Sequence, residues 1–159
     1  MILHIAPIQG TARQTVRRLI DTHVGSHIAL DHDVHGAPLL VGSPLHISIS
    51  HSRHFAAIAL HPHLRIGIDI EEPRGEQLAK VKTRFVHPDD PPIDLLTAWT
   101  IKEAVYKAAG IPGLSLLDIR IVAPTFAYVP HCAHFTLTTR VTVSHTHTLA
   151  IPYPLTVQI

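Results

Sequence analysis

Between Leu45 and Glu71 the chain changes to a period of two, and the breaks between apolar runs are only a few residues long. Leu45, Ile47 and Ile49 alternate with His46, Ser48 and Ser50, the pattern of a half-buried strand. Phe55 to Leu60 is a short apolar strand, His61 to Leu64 supplies a turn, and Arg65 to Glu71 forms a third strand. In that third strand Ile66, Ile68 and Ile70 face one way, while Gly67, Asp69 and Glu71 face the other. Parallel strands need a crossover of a dozen residues or more, so these connections predict an antiparallel meander.

Helical patterns flank this region. Thr11 to Val24 carries an N-cap threonine, apolar residues at Val16, Leu19 and Ile20, and Gly25 as its stop. Arg13, Arg17 and Arg18 lie along its polar side, and the stretch after it, around Gly36-Ala37-Pro38 and Gly42-Ser43-Pro44, reads as loop. Glu76 to Val86 predicts a short helix with Leu78, Val81 and Phe85 inward, broken by Pro88 to Pro92. Asp94 then caps a helix that runs to Ala109 and stops at Gly110, with Leu95, Ala98, Ile101, Ala104, Val105 and Ala108 as its core stripe. Strands follow near Leu116 to Ala123, His134 to Val143 and Leu149 to Val157.

The expected class is α+β. Ile47-Ser48-Ile49-Ser50-His51-Ser52 echoes Val141-Thr142-Val143-Ser144-His145-Thr146, which suggests a pseudo-dimer of two similar halves, about 1–72 and 73–159. Each half would be a helix on an antiparallel meander, with a ligand cleft between them. A length of 159 residues suits one such domain. The hydrophobic fraction of 46% against 16% charged argues against disorder, and a net charge of +1 gives no broad footprint for nucleic acid. One cysteine, Cys132, excludes an internal disulfide and fits a reducing compartment. With neither a signal-like N-terminus nor an apolar run of membrane-spanning length, a soluble cytoplasmic protein without membrane partners is expected. The fifteen histidines invite a zinc reading, but His32 with His35, His61 with His63 and His145 with His147 lack a cysteine pair and read as surface and turn residues.

The chemistry concentrates in Ser50-His51-Ser52, Gly67-Ile68-Asp69-Ile70-Glu71 and Trp99-Thr100-Ile101-Lys102-Glu103-Ala104-Val105-Tyr106-Lys107. Asp69 and Glu71 share a strand face, an arrangement that is costly unless a cation lies between them. A solvent-facing acidic edge is the plain alternative. Trp99, Glu103 and Lys107 lie on one helix stripe, where an ordinary i,i+4 salt bridge and a core tryptophan would also serve. A histidine, lysines and several carboxylates in one chain are what a site needs to hold a divalent metal against a pyrophosphate, because hard cations take carboxylate and phosphate oxygens. A Ser-His hydrolase is disfavoured, since no G-x-S-x-G elbow is present.

In these motifs, and in Gly36 to Pro38 preceding them, the chain resembles the surfactin-type (Sfp-like) branch of the 4′-phosphopantetheinyl transferases, over most of its length. The resemblance implies the pseudo-dimer fold. It also implies Mg²⁺-dependent transfer of the 4′-phosphopantetheine arm of coenzyme A to a serine of an acyl- or peptidyl-carrier protein. Such an enzyme is a holo-acyl-carrier-protein synthase of fatty acid or secondary metabolite biosynthesis, and by analogy a monomer. Asp69, Glu71 and Glu103 would ligate the metal, and Glu103 would also help deprotonate the carrier serine. Lys107 would stabilise the pyrophosphate, Lys102 would bind phosphate or support the helix, and Ser50, His51 and Arg13 would contact coenzyme A.

The chain departs from that pattern in several places. It is short, it lacks the basic segment before the first helix, and it has Gly36-Ala37-Pro38 where Gly-Lys-Pro is common. Ser48 stands where asparagine is frequent, and the linker between Phe85 and Trp99 is compressed and rich in proline. The alternatives are a member that binds coenzyme A or a carrier without turnover, and a histidine-rich metal-binding or structural protein.

Overall fold

A computed structural model describes residues 1–153; the part of the last expected strand beyond them, toward Val157, lies outside the described residues. The chain is α+β, with strands β1 (Ile2–Pro7), β2 (Ala29–His32), β3 (Pro38–Val41), β4 (His46–His51), β5 (Phe55–His61) and β6 (Gly67–Glu71) in its first part. Strands β7 (Arg120–Ala123), β8 (Phe126–Val129), β9 (Ala133–Val141) and β10 (Thr146–Tyr153) complete it. Helix α1 (Ala12–His23) follows β1, while α2 (Gly75–Val81) and α3 (Leu95–Ala109) lie between β6 and β7. No helix among the described residues is long and apolar enough to cross a membrane.

The helix ends form as their caps dictate. Thr11 accepts a hydrogen bond from the Gln14 backbone at 3.1 Å while the Gln14 side chain accepts from Thr11 N, a closed capping box. Asp94 accepts from Thr97 N at 2.9 Å, and Gly110 leaves α3 at φ 60°, a left-handed stop that glycine takes without strain. The predicted helix from Glu76 to Val86 is shorter than expected: α2 tightens into a 3₁₀ turn at Lys82–Arg84, with Leu78 and Phe85 still buried.

The predicted meander is corrected in one respect. β4 and β5 pair antiparallel, but β6 does not pair with β5. β5 already has a neighbour on each edge, because β1, not anticipated from sequence, pairs with it in the order β1-β5-β4. β6 therefore enters the other sheet, of order β6-β10-β9-β8-β7, placing Asp69 opposite Thr148 and Glu71 opposite Thr146. The two sheets face each other through Ala57, Ala59, Ile66, Ile68, Ile70 and Leu149. On the outer face of the first sheet α1 packs Val16 and Ile20 against Ile47, Ile58 and Leu60. On the outer face of the second, α3 packs Ile101, Ala104 and Val105 against Phe135, Leu137 and Ala150. The result is four layers, helix, sheet, sheet, helix. The Ser-His echo is not a structural one: Ile47–His51 is strand, whereas Thr142–His145 is the turn joining β9 to β10.

Two contacts fix β6. A Cβ on Gly67 would sit 1.8 Å from the Ala104 carbonyl oxygen and 2.8 Å from Ala108 N, so only glycine lets α3 lie this close. On its free edge, Ser48 Oγ accepts from Ile68 N at 3.0 Å and Ser50 Oγ accepts from Ile70 N at 3.3 Å. The serine hydroxyls thus do for β4 and β6 what a backbone ladder would do, satisfying buried amides at the seam between the sheets. Gly67→Ala is expected to lower unfolding stability by about 3 kcal/mol or more, measured by urea denaturation, because backbone rather than a mobile side chain must move.

Candidate active site

Asp69 lies 4% exposed at the centre of this seam. Its Oδ1 accepts from Ser50 Oγ at 2.9 Å and from Lys107 Nζ at 2.8 Å, and the same ammonium donates to the Ile68 carbonyl at 3.0 Å. Its Oδ2 is buried with no partner among the described residues. Removing a carboxylate from water costs several kcal/mol, so an orphaned oxygen beside a satisfied one leaves a position that a water, another donor or a cation would satisfy.

Glu71, two residues on, faces the same side. Its Oε1 accepts from Trp99 Nε1 at 3.0 Å and pairs with Arg74, whose guanidinium lies over the Trp99 ring at 5.1 Å. Phe85 packs edge-on against that ring at 5.1 Å, so Trp99 is both core and a hydrogen-bond donor. Burial, and then the neighbouring Asp69 charge, push the Glu71 carboxyl up to about 7 despite Arg74, Trp99 and Lys107. Glu103 comes from α3 and makes no side-chain hydrogen bond among the described residues; burial first and Asp69 second raise its pKa as well, with Lys107 and Arg74 opposing. Among the described residues no three His, Cys, Asp or Glu side chains stand in a metal-holding arrangement, and cations already occupy one oxygen of Asp69 and one of Glu71. By donor chemistry alone, the set left over, Asp69 Oδ2 with oxygens of Glu71 and Glu103, is hard and anionic, the kind a hard divalent ion takes.

Beside the cluster opens a cleft of about 2090 Å³, walled by α1, the β2–β3 ribbon, β4 and the C-terminal end of α3. Lys107 and His51 line it, so the ammonium that holds Asp69 also borders the cavity. Arg13 lines it too, without a side-chain hydrogen bond or ion pair among the described residues. Arg17 and Arg18 are spent on the fold: the first on Asp21 and the Ile28 carbonyl, the second on the Gln9 carbonyl and Thr15.

Two expected ligand contacts are corrected. Lys102 does not face the cleft; it is fully buried, with Nζ 2.6 Å from Asp90 Oδ2 and 2.8 Å from the Ile119 carbonyl, so of its two expected roles only support of the helix remains. Burial lowers its pKa, and Asp90 opposes that shift. Ser50 does not line the cleft either, since its hydroxyl is committed to Asp69 and Ile70 and positions the carboxylate. Sequence reasoning missed the seam role of Ser48, the clamp of Arg74 on Glu71, and the hydroxyl chain Thr100, Thr148 and Thr139 behind them. Serines two apart on a strand whose isoleucines face a helix were the available signal for the first.

Lys102→Ala is expected to destabilise the fold by about 3–5 kcal/mol in chemical denaturation, because Asp90 is left buried at 2% side-chain exposure without its cation. Comparison with models of known protein families and with curated proteins finds no match for this chain.

Proposed function

We propose that the chain is a 4′-phosphopantetheinyl transferase, moving the phosphopantetheine arm of coenzyme A to a serine of an acyl- or peptidyl-carrier protein. The observation that carries this reading is the buried, unpartnered Asp69 Oδ2, flanked by Glu71 and Glu103 and tied through Lys107 to a cleft large enough for a nucleotide. The layering supports it as well: α1 on one sheet and α3 on the other form two helix-on-sheet units facing across a shared core, as a pseudo-dimer requires.

Asp69 Oδ2, Glu71 and Glu103 would hold Mg²⁺. Bound there, the ion supplies charge neutralisation to the pyrophosphate. The chain's own groups do the rest. Lys107 Nζ, at the border of cluster and cleft, neutralises the oxygen that departs with the bisphosphate. His51 and Arg13 bind phosphate from β4 and α1. The carrier serine attacks the phosphorus that bears the pantetheine arm, its proton passes to Glu103, and the bond from that phosphorus to the bridging oxygen breaks. Adenosine 3′,5′-bisphosphate leaves. A carboxylate raised by burial is better matched to that proton than an ordinary one.

Mass spectrometry of apo-carriers mixed with the protein, coenzyme A and Mg²⁺ tests the reading: carriers gain the arm. No gain across several carriers, with protein shown to be folded, rejects it, and carrier or coenzyme A binding without product points instead to a binder that does not turn over. Glu103→Gln is expected to keep its fold and lose transfer by about 100-fold or more; unchanged activity contradicts the assigned role.

Glu71 makes metal binding depend on pH. Its folded pKa of about 7 lies above the ordinary 4.5, so its contribution to stability is present below 4.5 and lost as pH rises through 7. A divalent ion prefers the carboxylate form and reverses that loss. Saturating Mg²⁺ is therefore expected to raise Tm by about 5 °C or more at pH 8 and by clearly less at pH 6, read by differential scanning calorimetry.

A further inference from the structure

The crossover that carries the chain from the first sheet to the second is short, residues 62–66 between β5 and β6. Its first turn runs from His61 to Leu64, with Pro62 in the second place, where the fixed φ of proline suits a tight turn. Such a turn is ordinarily closed by its last amide donating to its first carbonyl. That bond is not made here: among the described residues Leu64 N has no backbone acceptor. It donates to His61 Nδ1 at 2.9 Å, and His63 N donates to the same nitrogen at 3.1 Å. One imidazole nitrogen stands in for the missing carbonyl contact.

A backbone amide can only donate, so Nδ1 must present its lone pair and the ring proton must sit on Nε2. A second proton can go only to Nδ1, where it faces two N–H groups and removes both bonds at once. The surroundings weigh against that proton too. His46 is the register partner on β4, His63 lies edge-on at 6.4 Å on the same turn, and the Met1 amino group, just ahead of β1, adds its charge. The amino group is already a cation, and the two imidazoles become cations in mild acid. Burial first, then the Met1 amino group, His63 and His46, hold the His61 pKa below its ordinary 6.5. The contribution of this contact to stability is therefore complete above 6.5 and is lost as pH falls below it, through the depressed folded value. Beyond the turn Ile66 is buried in the central layer and Gly67 lies against α3, so the contact secures the lead into the strand that carries Asp69 and Glu71.

We propose that His61 is an acid-sensitive latch on this crossover: neutral, it closes the turn; protonated, it frees the His63 and Leu64 amides and slackens the lead into β6. The latch operates with or without transferase activity.

NMR of the full chain tests it. With ¹⁵N-labelled histidine, the His61 ring, assigned by its loss in His61→Asn, is expected at about pH 7.5 as the tautomer protonated on Nε2 alone. Between about pH 7.5 and about pH 4.5, hydrogen-exchange protection factors at His63 and Leu64 are expected to fall by about 5-fold or more relative to the amides of β5. Asparagine offers Oδ1 where histidine offers Nδ1 and does not titrate, so His61→Asn is expected to keep both amides protected at either pH. His61→Leu, with no acceptor, is expected to lose that protection already at about pH 7.5. An Nδ1-protonated tautomer in the wild type overturns the proposal. So does wild-type protection that does not change with pH, or an acid loss in His61→Asn equal to that of the wild type, which would place the titrating group elsewhere. Protection retained by a folded His61→Leu overturns it as well; should that variant fail to fold, the wild type and His61→Asn decide by themselves.

Discussion

The absence of a side chain at Gly67 sets the geometry of everything around it. Because nothing stands between β6 and α3, the Ala104 carbonyl lies where a Cβ would be, and the helix runs along the strand at backbone contact. Residues within about a turn and a half of that contact then reach the strand directly. Lys107 spans to Asp69 Oδ1 and the Ile68 carbonyl, and Trp99, two turns earlier, spans to Glu71. A larger residue would push α3 outward and lengthen each of these contacts together.

The opposite edge of β6 is held by a less common device. Ser48 and Ser50 satisfy its amides with hydroxyls, so the strand is fixed beside β4 without joining its sheet. Ser50 uses the same oxygen to donate to Asp69, coupling the seam to the carboxylate it orients. Burying that carboxylate is tolerable because isoleucines on the other face of β6 fill the central layer, each contributing about 1.5–3 kcal/mol by burial.

Much of this was legible in local pattern. The two long helices and their caps followed from Thr11, Asp94 and Gly110, and β4, β5 and β6 followed from alternation. The strands that escaped notice, β1, β2, β3 and β8, are short or carry histidine and proline among few β-branched residues. Missing β1 led directly to the wrong neighbour for β6, because strand pairing is decided by which edges are free and not by sequence proximity. At the site, Asp69, Glu71, Glu103 and Lys107 were read from spacing, and the structure brings their charges into mutual range. Lys102 and Ser50 misled because a residue's neighbours in sequence do not say which way its side chain turns: one helical step from Glu103, Lys102 turns into the core against Asp90.

The pairing of β6 with β10 has a consequence for how the molecule is made. The strand that carries both acids emerges early from a ribosome, yet its hydrogen-bonding partner comes some seventy-five residues later, at Thr146–Tyr153. Until then β6 is a largely apolar ribbon with an open edge, the kind of surface that invites pairing with the wrong chain. Long-range closure of this sort slows folding. The cluster around Asp69 and Glu71 is consequently set in place only once β10 has paired with β6.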